Sequence, residues 1–161
     1  MVNRVRMHLV QAVARSEVCP SRLRRWALSV LGLDVGGAWI SAGSCFRSVD
    51  VSIGALSRVN YGCFFDRGSI TIGSRCNVSC GVRFMSMNHE TGDVVRRAGR
   101  LIETPIRVDD NVWIGAGVTV LGNVHIAEGC VIAAGAVVTS STEPHGMYAG
   151  VPAVRKKDLP Q

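Results

Sequence analysis

The sequence predicts an all-β chain wound as a triangular coil, and three observations predict it. The composition is 47% hydrophobic but only 6% aromatic, with 18 glycines in 161 residues, which suits short apolar elements joined by tight corners better than one large mixed core. The apolar residues Val108, Ile114, Val120, Ile126, Ile132 and Val138 recur at every sixth position without a miss. Four positions after each stands a small or β-branched residue: Val112, Val118, Val124, Cys130, Ala136 and Thr142.

A strict period of six fits neither the 3.6 of a helix nor the 2 of a flat strand. It fits a coil in which each hexad is one short strand plus one corner. Three hexads close a turn, and the large residue and its small partner both point inward. Glycines such as Gly54, Gly73, Gly115 and Gly135 then ease the corners where φ is positive. Stacked coils pair their strands in parallel about 4.8 Å apart, so roughly four to five coils make a prism about 20 Å tall. The competing arrangement is a compact sandwich of short strands.

The first 31 residues read as one or two helices. Val5, Leu9, Val13, Leu23, Trp26, Leu28 and Val30 give an interrupted apolar face, arginines hold much of the other, and Cys19-Pro20-Ser21 breaks the run. This segment is either a cap over the open end of the coil or a basic amphipathic contact with anionic membrane lipid, and the two roles are compatible. The coil is expected over residues 32–143. Its earlier block repeats the pattern in Ile53, Val59 and Phe65, with Ser57, Cys63 and Ser69 four later, and in Ile72, Val78 and Phe84, with Cys76, Val82 and Asn88. The register slips by one residue between Phe65 and Ile72. A strand and a basic tail follow over 144–161.

Net charge is +6, with arginines clustered at the front and Arg155, Lys156 and Lys157 at the back; charge clustered in this way suits an anionic partner. The six cysteines show no CxxC pair and no metal-like grouping with histidine. They read as small buried fillers in a reducing compartment. No stretch reaches the roughly 20 apolar residues of a membrane span, and the start lacks a continuous signal-peptide run. The expectation is a cytoplasmic protein with no metal and no nucleic-acid partner.

Between Phe84 and Val108 the repeat falls silent over "MSMNHETGDVVRRAGRLIETP". Unstructured loops beyond about 12 to 15 residues are uncommon in compact domains and are usually functional. This one, about 86–107, carries His89. His8, His125 and His145 read as surface or corner residues.

The segments "DDNVWIGAGVTVLGNVHIAEGCVIAAGAVVT" (Asp109 to Thr139), "GVPA" (Gly150 to Ala153) and the histidine loop resemble the hexapeptide-repeat acyltransferases. The likeness covers about 32 to 157. It is strongest to the branch holding galactoside and maltose O-acetyltransferases, xenobiotic acetyltransferases and acetyltransferases that decorate polysaccharides. The resemblance implies a left-handed parallel β-helix, an exception to the usual handedness of parallel crossovers. It also implies a homotrimer whose active sites are each shared by two chains, and acetyl-CoA as donor. The acceptor it implies is a hydroxyl of a sugar, polysaccharide precursor or small natural product.

Aligning "TIG" (Thr71 to Gly73) and the hexads after it places His89 at the family's general base. There a neutral imidazole takes the proton of an alcohol as it attacks the thioester. The backbone N–H at Ala116 matches the oxyanion donor. The resemblance implies that Ala116, Ala134, Thr139 and Ser140 line the pantetheine arm and that Trp113 packs at the cleft. Lys157 matches a basic residue at the nucleotide end. The family's other basic position falls on Val154, so Arg155 or Lys156 must substitute. Asn60 and Asp66 are implied at the acceptor site, with Met85, Met87 and Asn88 shaping the pocket floor near His89. Asn60 reads equally as a corner residue; for Thr139 and Ser140 a corner place, and for the basic cluster a solvated tail, are the competing readings. Two other functions remain open on these residues: an N-acetyltransferase acting on an amino sugar, and a non-catalytic trimeric scaffold.

Overall fold

The computed structural model describes residues 4–160. Two helices, α1 (Arg4–Arg15) and α2 (Ser21–Val30), precede a solenoid of three-stranded coils. The first coil comprises β1 (Trp39–Ile40), β2 (Cys45–Phe46) and β3 (Val51–Ile53), and the second β4 (Arg58–Val59), β5 (Phe64–Phe65) and β6 (Ile70–Ile72). The third coil runs through β7 (Asn77–Val78) and β8 (Arg83–Met85), leaves as the hairpin β9 (Met87–Thr91) and β10 (Ala98–Glu103), and closes with β11 (Ile106–Val108). Above it lie β12 (Trp113–Ile114), β13 (Thr119–Leu121) and β14 (His125–Ile126), then β15 (Val131–Ile132) and β16 (Val137–Val138). The chain ends in β17 (Gly146–Ala149) and β18 (Val154–Asp158).

The coils stack into three parallel faces. One runs β1-β4-β7-β12-β15-β17, with β18 added antiparallel, the second β2-β5-β8-β13-β16 and the third β3-β6-β11-β14. The hexad residues form inward columns: Ile40, Val59, Val78, Ile114 and Ile132 are all buried on the first face. On the second, Phe46, Phe65 and Phe84 stack with ring centroids 4.5 and 5.1 Å apart. Large flat rings fill the lower coils where Val120 and Val138 fill the upper ones.

About six turns form, more than the four to five expected. The addition at the top lies outside the hexad spacing. Tyr148 comes ten positions after Val138, yet it takes the inward place above Ile132 and is buried.

Several expectations change. Gly135 has φ +70°, but Gly54, Gly73 and Gly115 do not have positive φ. They are small because the next coil passes close by: a Cβ on Gly115 would lie 2.5 Å from the Ala134 backbone nitrogen. Cys63, Cys76 and Cys130 are buried fillers, whereas Cys80 is exposed at a corner. Burial pushes the Cys63 thiol up to about 11, which makes it unreactive. Asn88 points outward, because the inward place at that corner is taken by Ser86.

The helices pack on the first coil. Val10, Ala14 and Leu28 join its core. The Arg24 guanidinium, 2% exposed, donates to the carbonyls of Ile40 (3.0 Å), Cys19 (2.7 Å) and Ser16. No helix among the described residues is long and apolar enough to cross a membrane.

Candidate active site

The site is built at one edge of the prism, between the second and third faces. Every lower coil has surplus chain there: Phe46 to Ile53 and Phe65 to Ile72 each span seven positions rather than six. In the third coil the surplus becomes the hairpin, so the expected unstructured loop is an antiparallel pair instead. Its neck is fixed by two buried residues. The Thr104 N–H donates to the Ser86 carbonyl (2.9 Å), and the Ser86 hydroxyl accepts from the Gly68 N–H (3.0 Å) one coil below.

Along the hairpin, His89 faces Leu101 and Asn88 faces Ile102. Arg100 pairs with Glu90 (2.6 Å), and Asp93 accepts from the N–H groups of Val95 and Arg96 at the tip. The imidazole Nδ1 of His89 lies 2.9 Å from the Gly99 carbonyl oxygen. A carbonyl only accepts, so Nδ1 carries a proton, and in the neutral ring the lone pair is then on Nε2. The ring is exposed. A neutral imidazole with one nitrogen tied to backbone and the other open is the arrangement a general base requires.

Beneath the hairpin, Met85, Met87, Asn88, Leu121, Gly122 and Thr139 line a cleft of about 380 Å³. Asp66 sits one rung below Met85, since Phe65 pairs with Phe84, and its N–H donates to the Phe84 carbonyl (3.1 Å). Ser140 follows Thr139, exposed at the same edge. The structure thus gathers His89, Asp66, Met85, Asn88, Thr139 and Ser140 along one edge.

It does not gather the others there. Ala116 and Ala134 lie at the edge between the first and second faces, with the Gly135 N–H donating to the Ala116 carbonyl (2.8 Å). The Ala116 N–H has no partner among the described residues and stands exposed. Trp113, 53% exposed, points outward from the adjoining face between Asn77 and Val131. Asn60 lies lower on the edge that carries Ala116. Its side chain accepts from the Tyr61 N–H (2.8 Å), and with Trp39, Ser41, Arg58, Tyr61 and Asn77 it lines a cavity of about 410 Å³.

The basic tail divides. Arg155 donates to the carbonyls of Glu143 and Pro144 and to the Tyr148 hydroxyl, each at 3.1 Å, and pairs with Asp158 at 2.8 Å. Hydrogen bonds to Tyr148 and Asp158 hold its guanidinium more firmly protonated than usual. Arg155 therefore clamps the C-terminal segment, whereas the resemblance placed it at the nucleotide end. Lys156 and Lys157 are exposed on β18 and form no ion pair among the described residues.

Four positions escaped sequence reading. Gly99, Ser86 and Thr104 act through backbone contacts that no spacing reveals. His125, expected at a corner, stands on β14 and donates from Nε2 to Asp109 at 2.7 Å. Among the described residues no group of three or more His, Cys, Asp or Glu side chains could hold a metal.

Residues 105–140 match the family model described as bacterial transferase hexapeptide (six repeats). A putative acetyltransferase of Schizosaccharomyces pombe is 41% identical over 105 residues, covering 65% of this chain and 51% of that protein. The galactoside O-acetyltransferase of Escherichia coli is 33% identical over 87 residues, covering 54% and 43%. A crystal structure of a hexapeptide-repeat acetyltransferase from Vibrio cholerae, complexed with acetyl coenzyme A, superposes with a TM-score of 0.80 at 23% identity over 98% of this chain and 87% of that one. Residues 105–140 carry the hexapeptide repeats of that transferase family, the chain resembles its acetyltransferase members, and its fold is their left-handed parallel β-helix. The chain spans about half the length of the curated relatives it matches.

Proposed function

We propose that the protein is an acyl-CoA-dependent O-acyltransferase, with acetyl-CoA as donor and a hydroxyl of a sugar or small natural product as acceptor. The carrying observation is the His89–Gly99 contact, which fixes the imidazole tautomer and leaves Nε2 open on an exposed hairpin. The acceptor hydroxyl gives its proton to Nε2 as its oxygen attacks the thioester carbonyl. The Ala116 N–H, free of any partner among the described residues, meets the oxyanion that forms. The C–S bond then breaks, coenzyme A leaves as the thiol after taking the proton back from the imidazolium, and the ester remains on the acceptor. Lys156 and Lys157 supply charge for the phosphates of the donor. The relatives named as acetyltransferases and the acetyl coenzyme A bound by the Vibrio protein support this reading.

The base and the oxyanion donor stand on different edges of one prism. The reading therefore includes a homotrimer in which the His89 hairpin of one chain faces the Ala116 edge of its neighbour, so that each site takes residues from two chains.

The test is His89→Ala, assayed by free-thiol release from acetyl-CoA with a panel of sugars. Turnover should fall by at least about 10²-fold, while coenzyme A affinity stays close to that of the parent. Near-parental turnover on an authentic acceptor would overturn the assignment. A stable, active monomer in sedimentation would overturn the shared site.

A further inference from the structure

Helix α2 has two apolar sides. Arg24 and Leu28 face the first coil and are buried. Leu23, Trp26 and Val30 stand 51%, 63% and 66% exposed. At 3.6 residues per turn these three fall within about 60° of one another, on the side opposite the buried pair. Capping the coil therefore accounts for one side of the helix and leaves a tryptophan-centred strip on the other.

The charge around that strip has one sign. Of the residues up to Leu33, Glu17 is the single acid, against six arginines. Three of the six are used internally: Arg24 on the carbonyls described above, Arg6 on the Leu31 carbonyl and Arg15 on the Cys45 sulfur. Arg22 and Arg25 both lie along one side of the strip, Arg22 the nearer, and form no ion pair among the described residues. An outward apolar strip holding a Trp, bordered along one side by cations with no acidic complement, is the pattern of a helix that lies in a lipid interface. The indole and aliphatic groups enter the acyl boundary there, and the guanidinium groups meet anionic headgroups.

We infer that the outer side of α2 is a docking surface for an anionic lipid bilayer, engaged through Leu23, Trp26 and Val30 with Arg22 and Arg25 on the headgroups. The inference is independent of the acyl-transfer reading, because none of these residues belongs to the candidate site. The hairpin that carries His89 leaves the third coil, whereas α2 packs on the first.

The experiment is co-sedimentation of the full chain with vesicles of phosphatidylcholine containing about one third phosphatidylglycerol, against phosphatidylcholine alone. The protein should pellet with the anionic vesicles, remain free with the neutral ones and dissociate as salt rises. Trp26→Ser and the double change Arg22→Gln, Arg25→Gln should each weaken vesicle binding about tenfold or more, with unfolding transition, elution volume and thiol release unchanged. Three results would overturn the proposal: parental protein left in the supernatant, equal binding to both vesicles, or a Trp26→Ser change that alters the assembly's mass without altering vesicle binding. The last would mean that a second copy covers the strip.

Discussion

The Thr104 N–H donates to the Ser86 carbonyl at 2.9 Å, so the point where the chain leaves the third coil and the point where it returns are hydrogen-bonded neighbours. Both residues are nearly or wholly buried. The hairpin thus rises from a closed neck, and the position of His89 inherits the rigidity of the prism.

Ser86→Ala tests that neck. It removes the acceptor of the Gly68 N–H in a site without water access. Leaving a buried donor unsatisfied costs about 1–3 kcal/mol. Urea unfolding should show that loss, and turnover should fall with it while coenzyme A affinity is retained.

Gly122→Ala should act at the same place by crowding. A Cβ there would lie 1.8 Å from the Thr104 hydroxyl oxygen and 2.8 Å from the Thr104 carbonyl oxygen. The neck must shift to accept it. A fall in thermal midpoint together with slower acyl transfer is expected, and an unchanged protein would show that the neck does not position His89.

The divided basic tail predicts divided phenotypes. Lys156→Ala with Lys157→Ala should raise KM for acetyl-CoA several-fold with little change in kcat, the signature of lost uniform binding. Discrimination against 3′-dephospho-coenzyme A should weaken as well. Arg155→Ala should instead lower stability, because it frees the Glu143 and Pro144 carbonyls and the Tyr148 hydroxyl. Calorimetry at low salt separates the two.

Asp109 gives the fold a pH dependence. Burial alone would raise its carboxyl, but hydrogen bonds from Arg107 and His125 outweigh burial and hold it below the usual carboxylate range. A depressed carboxyl contributes stability that is present above its unfolded value, about 3.9, and lost as pH falls through the folded one. Thermal midpoints of the parent should drop faster than those of Asp109→Asn as pH is lowered through that window.

The middle ring of the aromatic stack should be the costliest core deletion. Phe65 contacts a ring on either side, at 4.5 and 5.1 Å. Phe65→Ala should cost about 3–5 kcal/mol in urea unfolding.

The six-residue period made the coil legible because inward columns need one large residue per side, and that constraint is periodic in sequence. It revealed less where the chain meets the constraint by other means. Tyr148 reaches its column after a ten-position gap. Asn88 keeps the spacing but not the side, since the corner there is no longer a corner. The candidate base was legible because the repeat stops around it. Its tautomer was not, because the Gly99 contact depends on the register of a hairpin that sequence gave no reason to pair. The clamp made by Arg155 was hidden for a related reason: a basic residue in a tail looks free until a strand folds back beside Tyr148.

The paired neck carries one more consequence. In the second coil the same edge is spanned by Asp66, Arg67, Gly68 and Ser69, which link Phe65 to Ile70, the residue that pairs with Ile106 in the coil above. Transplanting those four residues between Phe84 and Ile106 would return the third coil to the form of the second, with every later rung in register. The shortened solenoid should then fold as a blank, and the hairpin that carries His89 is a detachable cartridge: it can be lengthened, exchanged or discarded at that edge without redesigning the scaffold beneath.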